Sequence, residues 1–406
     1  MLYRLHEWQR AMVAPVHAIA KTQKHVFSHP FSPLAYHPLA NNVAAGAEVL
    51  SRITARYHKP EWDIDHVEVD DATVPVAIRT VAETPFSKLL HFERVGVRRD
   101  DPRVLVIAPL SGHFATLLRD TVRGLLPDHE VWITEWIDAK MVPVAAGPWH
   151  LDDYVDTVRA YIRRLAGELH VVSVCQPTVP TLAAISLMAA EGEPCMPRSM
   201  TLMGGPIDAR KSPTAFTSLA LKHPISWFER HLVQRVPARY PGFGRRVYPG
   251  FLQRAGFVAM NPNRHADAHR EYFMHLIEGD GESAAAHRRF YDEYNAVLDM
   301  PAEYYLDSLR TVFQEFALAE GTMQVRGQRV RPDAIRGTAM LTIEGEIDDI
   351  SGSGQTEAAH ALCTGIAATR REHFVAPQVG HYGIFSGRKW REVVRPKVSE
   401  FIRRHA

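Results

Sequence analysis

The segment Val171-Val-Ser-Val-Cys175-Gln-Pro-Thr-Val-Pro180-Thr-Leu-Ala-Ala-Ile-Ser-Leu-Met188 joins a short apolar run to a cysteine and then to a stretch of small and apolar residues. The run before Cys175 is typical of a strand that is buried on both faces of a sheet. The residues after it predict a helix, and Pro177 fits the first helical turn, where a missing N–H costs nothing. Such a helix directs its N-terminal amides and the positive end of its dipole at Cys175, which favours negative charge on the sulfur. The segment therefore predicts a nucleophile at a strand-to-helix turn.

A sharp strand-to-helix turn holds the nucleophile of α/β-hydrolases, usually in the pattern Gly-x-Ser-x-Gly. In this chain Ser173 and Pro177 replace the two glycines, and Cys175 replaces the serine. The backbone N–H of Gln176 would then donate to a developing oxyanion. The alternative is that Cys175 is a buried structural residue, because free cysteine is among the most buried residue types.

Short apolar runs recur along the chain, with helical stretches between them. The predicted strands are a pair within residues 66–78, followed by 103–109, 130–135, 169–174, 199–203, 339–343 and 373–375. Residues 151–165 carry apolar side chains at helical spacing. Alternating strands and helices predict an α/β fold, here an α/β-hydrolase fold with a mostly parallel sheet and helices on both faces.

The alternation stops between about residues 206 and 332, where aromatic residues are frequent and the pattern is mainly that of amphipathic helices without a clear strand in the middle. A helical insertion between two late strands explains this best. We therefore divide the chain into four parts. They are an N-terminal helical segment with the first strands (1–94), the first part of the hydrolase core (95–205), a mainly helical cap or lid (206–332) and the second part of the core (333–406).

The chain order of a hydrolase triad is nucleophile, acid and then histidine. The predicted strand 339–343 leads into a glycine turn with two adjacent carboxylates, Asp348 and Asp349. We favour Asp348 as the acid, because one variable residue and then an aliphatic one follow it, and Asp349 stays open as the alternative. A solvated loop carboxylate or a helix cap is the non-catalytic interpretation. The base should follow the last strand, and His381 lies there in Gly380-His-Tyr-Gly, so Cys175, Asp348 and His381 form the predicted triad.

The loop after the predicted strand 103–109 supplies the second oxyanion N–H in this fold. It reads Leu110-Ser-Gly-His-Phe-Ala-Thr116, and Gly112 permits a backbone turn. We expect the donor to be His113 or a neighbour, although His113 could instead line the pocket or bond to the backbone. Ser111, Gly112 and Phe114, together with Tyr382, are the predicted substrate-binding residues.

Composition limits the possible partners and the cellular compartment. The chain has 406 residues, with 47 Lys and Arg against 46 Asp and Glu, and this net charge of +1 argues against a nucleic-acid-binding protein. Three cysteines do not make a disulfide framework, so we expect a reducing, cytoplasmic location and structural roles for Cys195 and Cys363. His265 and His269 lie one helical turn apart without further ligands, so we predict no metal and no cofactor.

The N-terminal residues show neither a secretory signal nor a membrane span, because charged residues interrupt the apolar ones. Leu2, Leu5, Trp8, Met12 and Val16 recur at helical spacing. They predict a helix that either packs on the body of the protein or lies on an apolar surface.

Three motifs carry a resemblance to a known family. Cys175-Gln-Pro, Glu344-Gly-Glu-Ile-Asp-Asp-Ile with Ser351-Gly-Ser-Gly-Gln-Thr, and Val379-Gly-His-Tyr-Gly-Ile-Phe-Ser-Gly-Arg388 resemble the intracellular polyhydroxybutyrate depolymerases, which are α/β-hydrolases with a cysteine nucleophile. The resemblance implies hydrolysis of the ester bonds of native amorphous polyhydroxybutyrate in storage granules, with Cys175, Asp348 and His381 as the triad. It also implies a cytoplasmic enzyme associated with granules.

Two other functions stay open at this point. Polyhydroxyalkanoate synthases are related enzymes that also use a cysteine, but glycines flank that cysteine, whereas Ser173 and Pro177 do so here. A synthase-like acyltransferase, or a thiolytic depolymerase that forms hydroxyacyl-CoA, would use the same residues. A granule-binding protein without catalytic activity is the third possibility. The predicted partner in each case is the polymer or the granule surface, and a homo-oligomer is possible.

Overall fold

The computed structural model describes residues 2–97, 99–260 and 262–406. Within them, nine strands form one sheet in the order β1-β2-β3-β5-β4-β6-β7-β13-β14. In chain order the strands are β1 (His66–Val69), β2 (Ala72–Glu83), β3 (Ser87–Arg94), β4 (Arg103–Ile107), β5 (Glu130–Trp136), β6 (Leu169–Val174), β7 (Ser199–Met203), β8 (Gln234–Arg235), β9 (Arg246–Tyr248), β10 (Met300–Pro301), β11 (Gln324–Val325), β12 (Gln328–Arg329), β13 (Ala339–Gly345) and β14 (Arg371–Ala376).

The α-helices lie between and around these strands. They are α1 (Leu2–Ser28), α2 (Ala40–Thr54), α3 (Arg119–Leu125), α4 (Leu151–Leu165), α5 (Thr178–Ala190), α6 (Ala215–Lys222), α7 (Ile225–Leu232), α8 (Gly250–Met260), α9 (Pro262–Glu278), α10 (Gly281–Asn295), α11 (Ala302–Ser308), α12 (Ala359–Leu362), α13 (Gly387–Lys389) and α14 (Arg395–His405). None of the helices in the described ranges is long and apolar enough to cross a lipid bilayer.

The strand directions place the carboxyl ends of six strands at one edge of the sheet. β4 pairs in parallel with β5 on one side and with β6 on the other. β6, β7, β13 and β14 continue the parallel pairing, whereas β1, β2 and β3 are antiparallel. The strand order reverses at β4, and crevices for ligands form at such switch points, outside the carboxyl ends of the strands. With a strand-to-helix turn after β6, this is the α/β-hydrolase fold.

The apolar runs of the sequence became the centre of this sheet. Val104, Leu105, Val106 and Ile107 of β4 are completely buried. Helix α5 is buried from Thr178 to Met188, as expected for a helix that is apolar all round. The predicted strands at 103–109, 130–135, 169–174, 199–203 and 339–343 and the helix at 151–165 are confirmed. Strand β3 was missed, because the adjacent Leu89 and Leu90 interrupt its alternation of apolar and polar residues.

The segment between β7 and β13 contains helices α6 to α11, which agrees with its predicted helical character. The sequence pattern shows no clear strand in the middle of this segment, but the structure places short strands there. β8, β9 and β10 form a small antiparallel sheet, and β11 and β12 form a hairpin. These strands have two or three residues each, which is too short to produce a visible alternation. The domain boundaries at 206 and 332 stay a prediction.

The apolar stripe of α1 faces outward. Leu2, Leu5, Trp8, Met12 and Val16 are exposed, with Trp8 at 61%. The helix packs on α2, and its buried residues are Tyr3 and Ala20. The predicted packing of this helix on the body of the protein is therefore confirmed, and a face other than the stripe makes the contacts.

Candidate active site

Cys175 lies at the turn between β6 and α5, above the carboxyl edge of the sheet. Its φ is +70°, a left-handed conformation that costs energy in a residue with a Cβ atom and is typical of functional turns. Two hydrogen bonds hold the turn: the Cys175 N–H donates to the Met203 carbonyl at 2.7 Å, and the Thr178 N–H donates to the Cys175 carbonyl at 3.1 Å. The side chain is half-buried, at the N-terminal end of α5.

Asp348 and His381 meet below the surface of the protein. Nδ1 of His381 lies 2.7 Å from Oδ2 of Asp348, and these side chains are 4% and 0% exposed. A carboxylate only accepts hydrogen bonds, so Nδ1 carries the proton and Nε2 is left for another partner. Oδ1 of Asp348 accepts the backbone N–H groups of Ile350 at 2.9 Å and Ser351 at 2.8 Å. The carboxylate is thus held in one orientation by two amides and orients the imidazole.

The pKa of His381 depends on both Asp348 and Cys175. Burial lowers the pKa of His381, but the Asp348 carboxylate and the Cys175 sulfur outweigh burial, and the net pKa lies well above the ordinary value. Both opposing causes favour the protonated imidazole, because a nearby negative charge stabilises a cation. The arrangement favours a proton on His381 when Cys175 carries negative charge.

Asp349, the alternative acid, is exposed in the same turn. It lies close enough to Tyr294 and Tyr382 to raise the pKa of each hydroxyl, although burial is the larger cause in both residues. The carboxylate that contacts His381 is that of Asp348, which two amides of the turn hold in place.

Backbone N–H groups of two loops are the candidate oxyanion donors. The N–H of Gln176 follows Cys175 directly, and in the described part of the chain it has no hydrogen-bond acceptor. The loop of Ser111, Gly112, His113 and Phe114 follows β4, the neighbour of β6 in the sheet. Preorganised donors of this kind stabilise negative charge that develops in a transition state.

The loop after β4 is fixed by the segment that precedes β10. The Gly112 carbonyl accepts the Leu298 N–H at 2.7 Å, and His113 pairs with Val297 in an isolated antiparallel bridge. Gly112 has a φ of +111°, and a Cβ atom at this position would overlap the Gln253 side-chain oxygen and lie 3.0 Å from Val297. Glycine is therefore required here by both conformation and space.

The side chain of His113 bonds to the backbone. Its Nε2 lies 3.2 Å from the Tyr294 carbonyl, and the ring stacks on Phe257 with centroids 5.1 Å apart. Because a carbonyl only accepts, Nε2 carries a proton. Burial lowers the pKa of His113 to about 4, so the ring is neutral at neutral pH. The side chain thus anchors the loop to α10, and an oxyanion donor in this loop would be a backbone amide.

The other predicted substrate residues surround this loop and the histidine. Ser111 is half-buried, and Phe114, also half-buried, packs against the main core. The Tyr382 ring stands perpendicular to the His381 imidazole at 5.9 Å. It also contacts Phe290 edge to face at 5.7 Å. Aromatic side chains from α10 and from the histidine loop thus enclose the imidazole on this side.

Two glycines that the sequence reasoning missed form the floor of the site. Gly204 and Gly205 follow β7, and Gly204 has a φ of +55°. A Cβ atom on Gly204 would lie 3.4 Å from Cε1 of His381 and 3.5 Å from Oδ2 of Asp348. A Cβ atom on Gly205 would lie 2.5 Å from the Cys175 carbonyl oxygen. In the sequence, the pair of glycines directly after a predicted buried strand could have indicated these two positions.

The substitution Gly205→Ala should therefore disturb the nucleophile turn. The new methyl group would overlap the Thr178 side chain and the Cys175 carbonyl, and overpacking of this kind costs about 1–3 kcal/mol. We expect a lower free energy of unfolding in urea titrations and a loss of esterase activity. Gly256→Ala in α8 is the matched control, because nothing lies within 4 Å of its Cβ position. Equal stability and activity of the two variants would contradict the close packing under Cys175.

The motif 351–357 is a loop that a buried carboxylate holds in place. Glu344, at the end of β13, accepts the N–H groups of Gly354 at 2.8 Å, Thr356 at 2.7 Å and Glu357 at 2.9 Å. Thr356 Oγ1 in turn accepts the Gly205 N–H at 2.8 Å. This network connects the acid-bearing turn to the glycine floor of the site.

The other two cysteines have surroundings of a different kind. Burial raises the pKa of Cys363 to about 12, so this residue is a neutral thiol at neutral pH. Burial and the nearby Glu193 carboxylate raise the pKa of Cys195.

His265 contacts the hydroxyl groups of Tyr291 at 2.9 Å and Tyr294 at 3.0 Å. Among the residues described, no three ligating side chains are grouped so that they could hold a metal ion.

Comparisons with known structures show similarity over most of the chain at low identity. A monoacylglycerol lipase from Paleococcus ferrophilus is 10% identical over 75% of this chain and 96% of its own, with a TM-score of 0.42. A thermophilic esterase from Thermogutta terrifontis is 13% identical over 82% and 99%, with a TM-score of 0.41. The 2-hydroxy-6-oxo-6-phenylhexa-2,4-dienoate hydrolase of Rhodococcus sp. strain RHA1 is 13% identical over 82% and 100%, with a TM-score of 0.44.

The family comparison concerns the second half of the chain. No curated protein matches the sequence. The family model described as "PHB de-polymerase C-terminus" matches residues 204–406, which is half of the chain. That range begins at the glycine floor and includes Asp348 and His381. The chain is an α/β-hydrolase and belongs to the PHB de-polymerase family.

Proposed function

We propose that this protein hydrolyses the ester bonds of native amorphous polyhydroxybutyrate in storage granules and releases 3-hydroxybutyrate or short oligomers. The observation that carries the proposal is the 2.7 Å contact between His381 and Asp348, buried beside a cysteine at a left-handed strand-to-helix turn. These are the parts of a nucleophilic triad. The family match to residues 204–406 supports the polymer as substrate.

Acylation would begin when the Cys175 sulfur attacks the ester carbonyl while its proton passes to His381. The negative charge on the carbonyl oxygen is stabilised by the Gln176 N–H and by an N–H of the 111–114 loop. As the carbonyl re-forms, the bond to the alcohol oxygen breaks, and His381 gives its proton to this oxygen. The products of the step are a thioester on Cys175 and a shortened chain with a free hydroxyl.

Deacylation uses water as the second nucleophile. His381 accepts a proton from the water, whose oxygen attacks the thioester carbonyl. The bond between carbon and sulfur then breaks, and His381 returns the proton to the leaving Cys175 sulfur. The released product is a carboxylic acid, and no cofactor takes part. Asp348 stabilises the imidazolium in both steps and keeps its protonated nitrogen away from the nucleophile.

The outer surface of the N-terminal region supports a role at an apolar granule. The exposed stripe of α1 continues into the next segment, where Phe31 is 91% exposed. The exposed large apolar residues of this region are Leu2, Leu5, Trp8, Met12, Val16, Ile19, Phe31, Leu34, Tyr36 and Leu39. A group of exposed large apolar side chains is typical of an interaction site, and an amphipathic helix can lie on an apolar surface.

The test is the reaction of the purified protein with native amorphous granules. Acid release is followed by titration at constant pH, and soluble products are identified by chromatography. We expect acid groups and 3-hydroxybutyrate or its short oligomers to appear without any added thiol. Product formation only after addition of coenzyme A would indicate thiolysis, and polymer growth from 3-hydroxybutyryl-CoA would indicate a synthase. Granule binding without any product would contradict catalysis.

A further inference from the structure

One short backbone segment holds the 111–114 loop. The Leu298 N–H donates to the Gly112 carbonyl at 2.7 Å, and Val297 forms the isolated bridge with His113. These contacts join backbone to backbone, so the position of the loop follows that of the segment. In the proposed mechanism an N–H of this loop stabilises the oxyanion, and such a donor is effective only at the right distance from the developing charge. Whatever fixes this segment therefore affects catalysis.

Asp299 ends the segment, and its backbone and side-chain groups are all hydrogen-bonded. Its N–H donates to Oδ1 of Asp138 at 3.1 Å, and its carbonyl accepts the Ala139 N–H at 3.0 Å. In the side chain, Oδ1 accepts the Gly250 N–H at 2.8 Å, and Oδ2 accepts the Tyr3 hydroxyl at 2.7 Å. Asp299 is only 3% exposed. Buried polar groups whose partners are all present make the structure around them rigid, so Asp299 fixes the end of the segment.

The two partners of the carboxylate come from helices far apart in the chain. Gly250 is the first residue of α8, where a carboxylate is favoured by unpaired N–H groups and by the positive end of the helix dipole. α8 also contacts the segment directly, because the Gln253 side-chain amide donates to the Leu298 carbonyl at 3.1 Å. Tyr3 is a buried residue of α1, the helix whose exposed stripe we propose to lie on the granule. The carboxylate thus joins α1 and α8 to the segment that holds the 111–114 loop.

Building on the proposed function, we propose that Asp299 is a positioning residue for the oxyanion donor in the 111–114 loop. Its carboxylate fixes the segment that holds the loop and connects the loop to α1. Its hydrogen-bond partners are not reacting groups, so it acts only through the loop. Loss of the carboxylate should therefore weaken stabilisation of the transition state more than binding of the ester, and it should leave the Cys175 and His381 side chains as they are.

The test uses the soluble ester p-nitrophenyl butyrate, so that binding to granules does not enter. Asp299→Ala removes both side-chain hydrogen bonds. We expect kcat to fall roughly 10- to 100-fold with KM changed by less than about threefold, because a misplacement of about 1 Å can reduce a rate on the order of 10²-fold. Asp299→Asn should recover most of kcat, because its amide oxygen can accept the Gly250 N–H while its NH₂ group donates to the Tyr3 oxygen. Tyr3→Phe should lower kcat less than Asp299→Ala, because the bond to Gly250 remains.

Alkylation of Cys175 by iodoacetamide distinguishes positioning of the loop from a general loss of structure. In this reaction the sulfur bonds to the methylene carbon and iodide leaves, so no oxyanion forms. The rate depends on the thiolate and its neighbour His381, but not on a donor in the 111–114 loop. Followed by mass spectrometry of the Cys175 peptide, the rate in Asp299→Ala should equal that of the wild type.

Asp101→Ala is the matched control. Asp101 is also a buried carboxylate, 2.6 Å from Arg94 and with its side chain 10% exposed. It precedes β4, at the opposite edge of the sheet from Cys175. This variant should be less stable in thermal unfolding and keep the wild-type kcat.

Two results would overturn this inference alone: an unchanged kcat in Asp299→Ala, or a kcat and an alkylation rate that fall together. Should Asp299→Ala not fold, Tyr3→Phe decides by the same criteria. A wild type that hydrolyses neither the ester nor granules would overturn the proposed function together with the inference.

Discussion

Replacing Cys175 with alanine is expected to reduce the release of 3-hydroxybutyrate from native granules by on the order of 10³- to 10⁶-fold, as in other enzymes that lose the nucleophile of a triad. In the proposed mechanism the Cys175 sulfur forms the acyl-enzyme, and this substitution removes it. The remaining turn keeps its backbone, which is left-handed at this position. Initial rates with purified protein and native granules measure the effect.

Cys195→Ala is the control for this substitution. Cys195 is half-buried and lies beside Glu193 rather than beside a histidine, with its sulfur 3.5 Å from the carboxylate. We expect this variant to retain activity within a few-fold of the wild type and to bind granules equally well. Thermal unfolding of all three proteins shows whether they are folded. Equal release by the wild type and Cys175→Ala would remove Cys175 as the nucleophile.

Asp348→Asn is expected to lower kcat by about 10²- to 10⁴-fold, because the asparagine amide can present an N–H where the imidazole needs an acceptor and so favours the wrong tautomer. Asp349→Asn, one residue away in an exposed position, should change kcat by less than about threefold. The two variants alter the same charge and nearly the same volume. A silent Asp348→Asn with an inactive Asp349→Asn would show that Asp349 is the acid.

The pH dependence of the same variants gives a second measurement. Burial lowers the pKa of His381, and the charges of Asp348 and Cys175 raise it to a net value well above the ordinary one. Asp348→Asn removes the largest opposing cause, so the pKa of His381 falls. His381 must be protonated to release the alcohol, so we expect the alkaline limb of the kcat/KM profile to move to lower pH in this variant. An alkaline limb that does not move would contradict the electrostatic coupling.

The raised pKa of His381 also makes the free energy of unfolding depend on pH. The folded pKa of His381 lies above its unfolded value of about 6.5. Its stabilising contribution is therefore complete below about pH 6.5 and is lost as the pH rises through the raised folded pKa. The difference in melting temperature between the wild type and Asp348→Asn should accordingly be larger at pH 6 than at strongly alkaline pH.

Most of the sheet could be predicted from the sequence, because the decisive patterns are local. The runs that became β4, β6 and β13 are continuous and apolar, as strands buried on both faces must be. The strand that carries no such pattern, β3, was missed, as were the two- and three-residue strands of the insertion. The stripe of α1 was visible, but the face that packs on α2 depends on contacts with residues distant in the sequence.

Local sequence by itself determined the order of the candidate catalytic residues along the chain. A cysteine lies between a strand and a helix, a carboxylate follows a late strand, and a histidine follows the last strand. Only the tertiary structure shows which of the two neighbouring carboxylates contacts His381, because the direction of a side chain in a turn depends on the amides that fix it, here those of Ile350 and Ser351. The glycine floor likewise emerged only from the fold, because Gly204 and Gly205 lie far in sequence from the Cys175, Asp348 and His381 atoms that they approach.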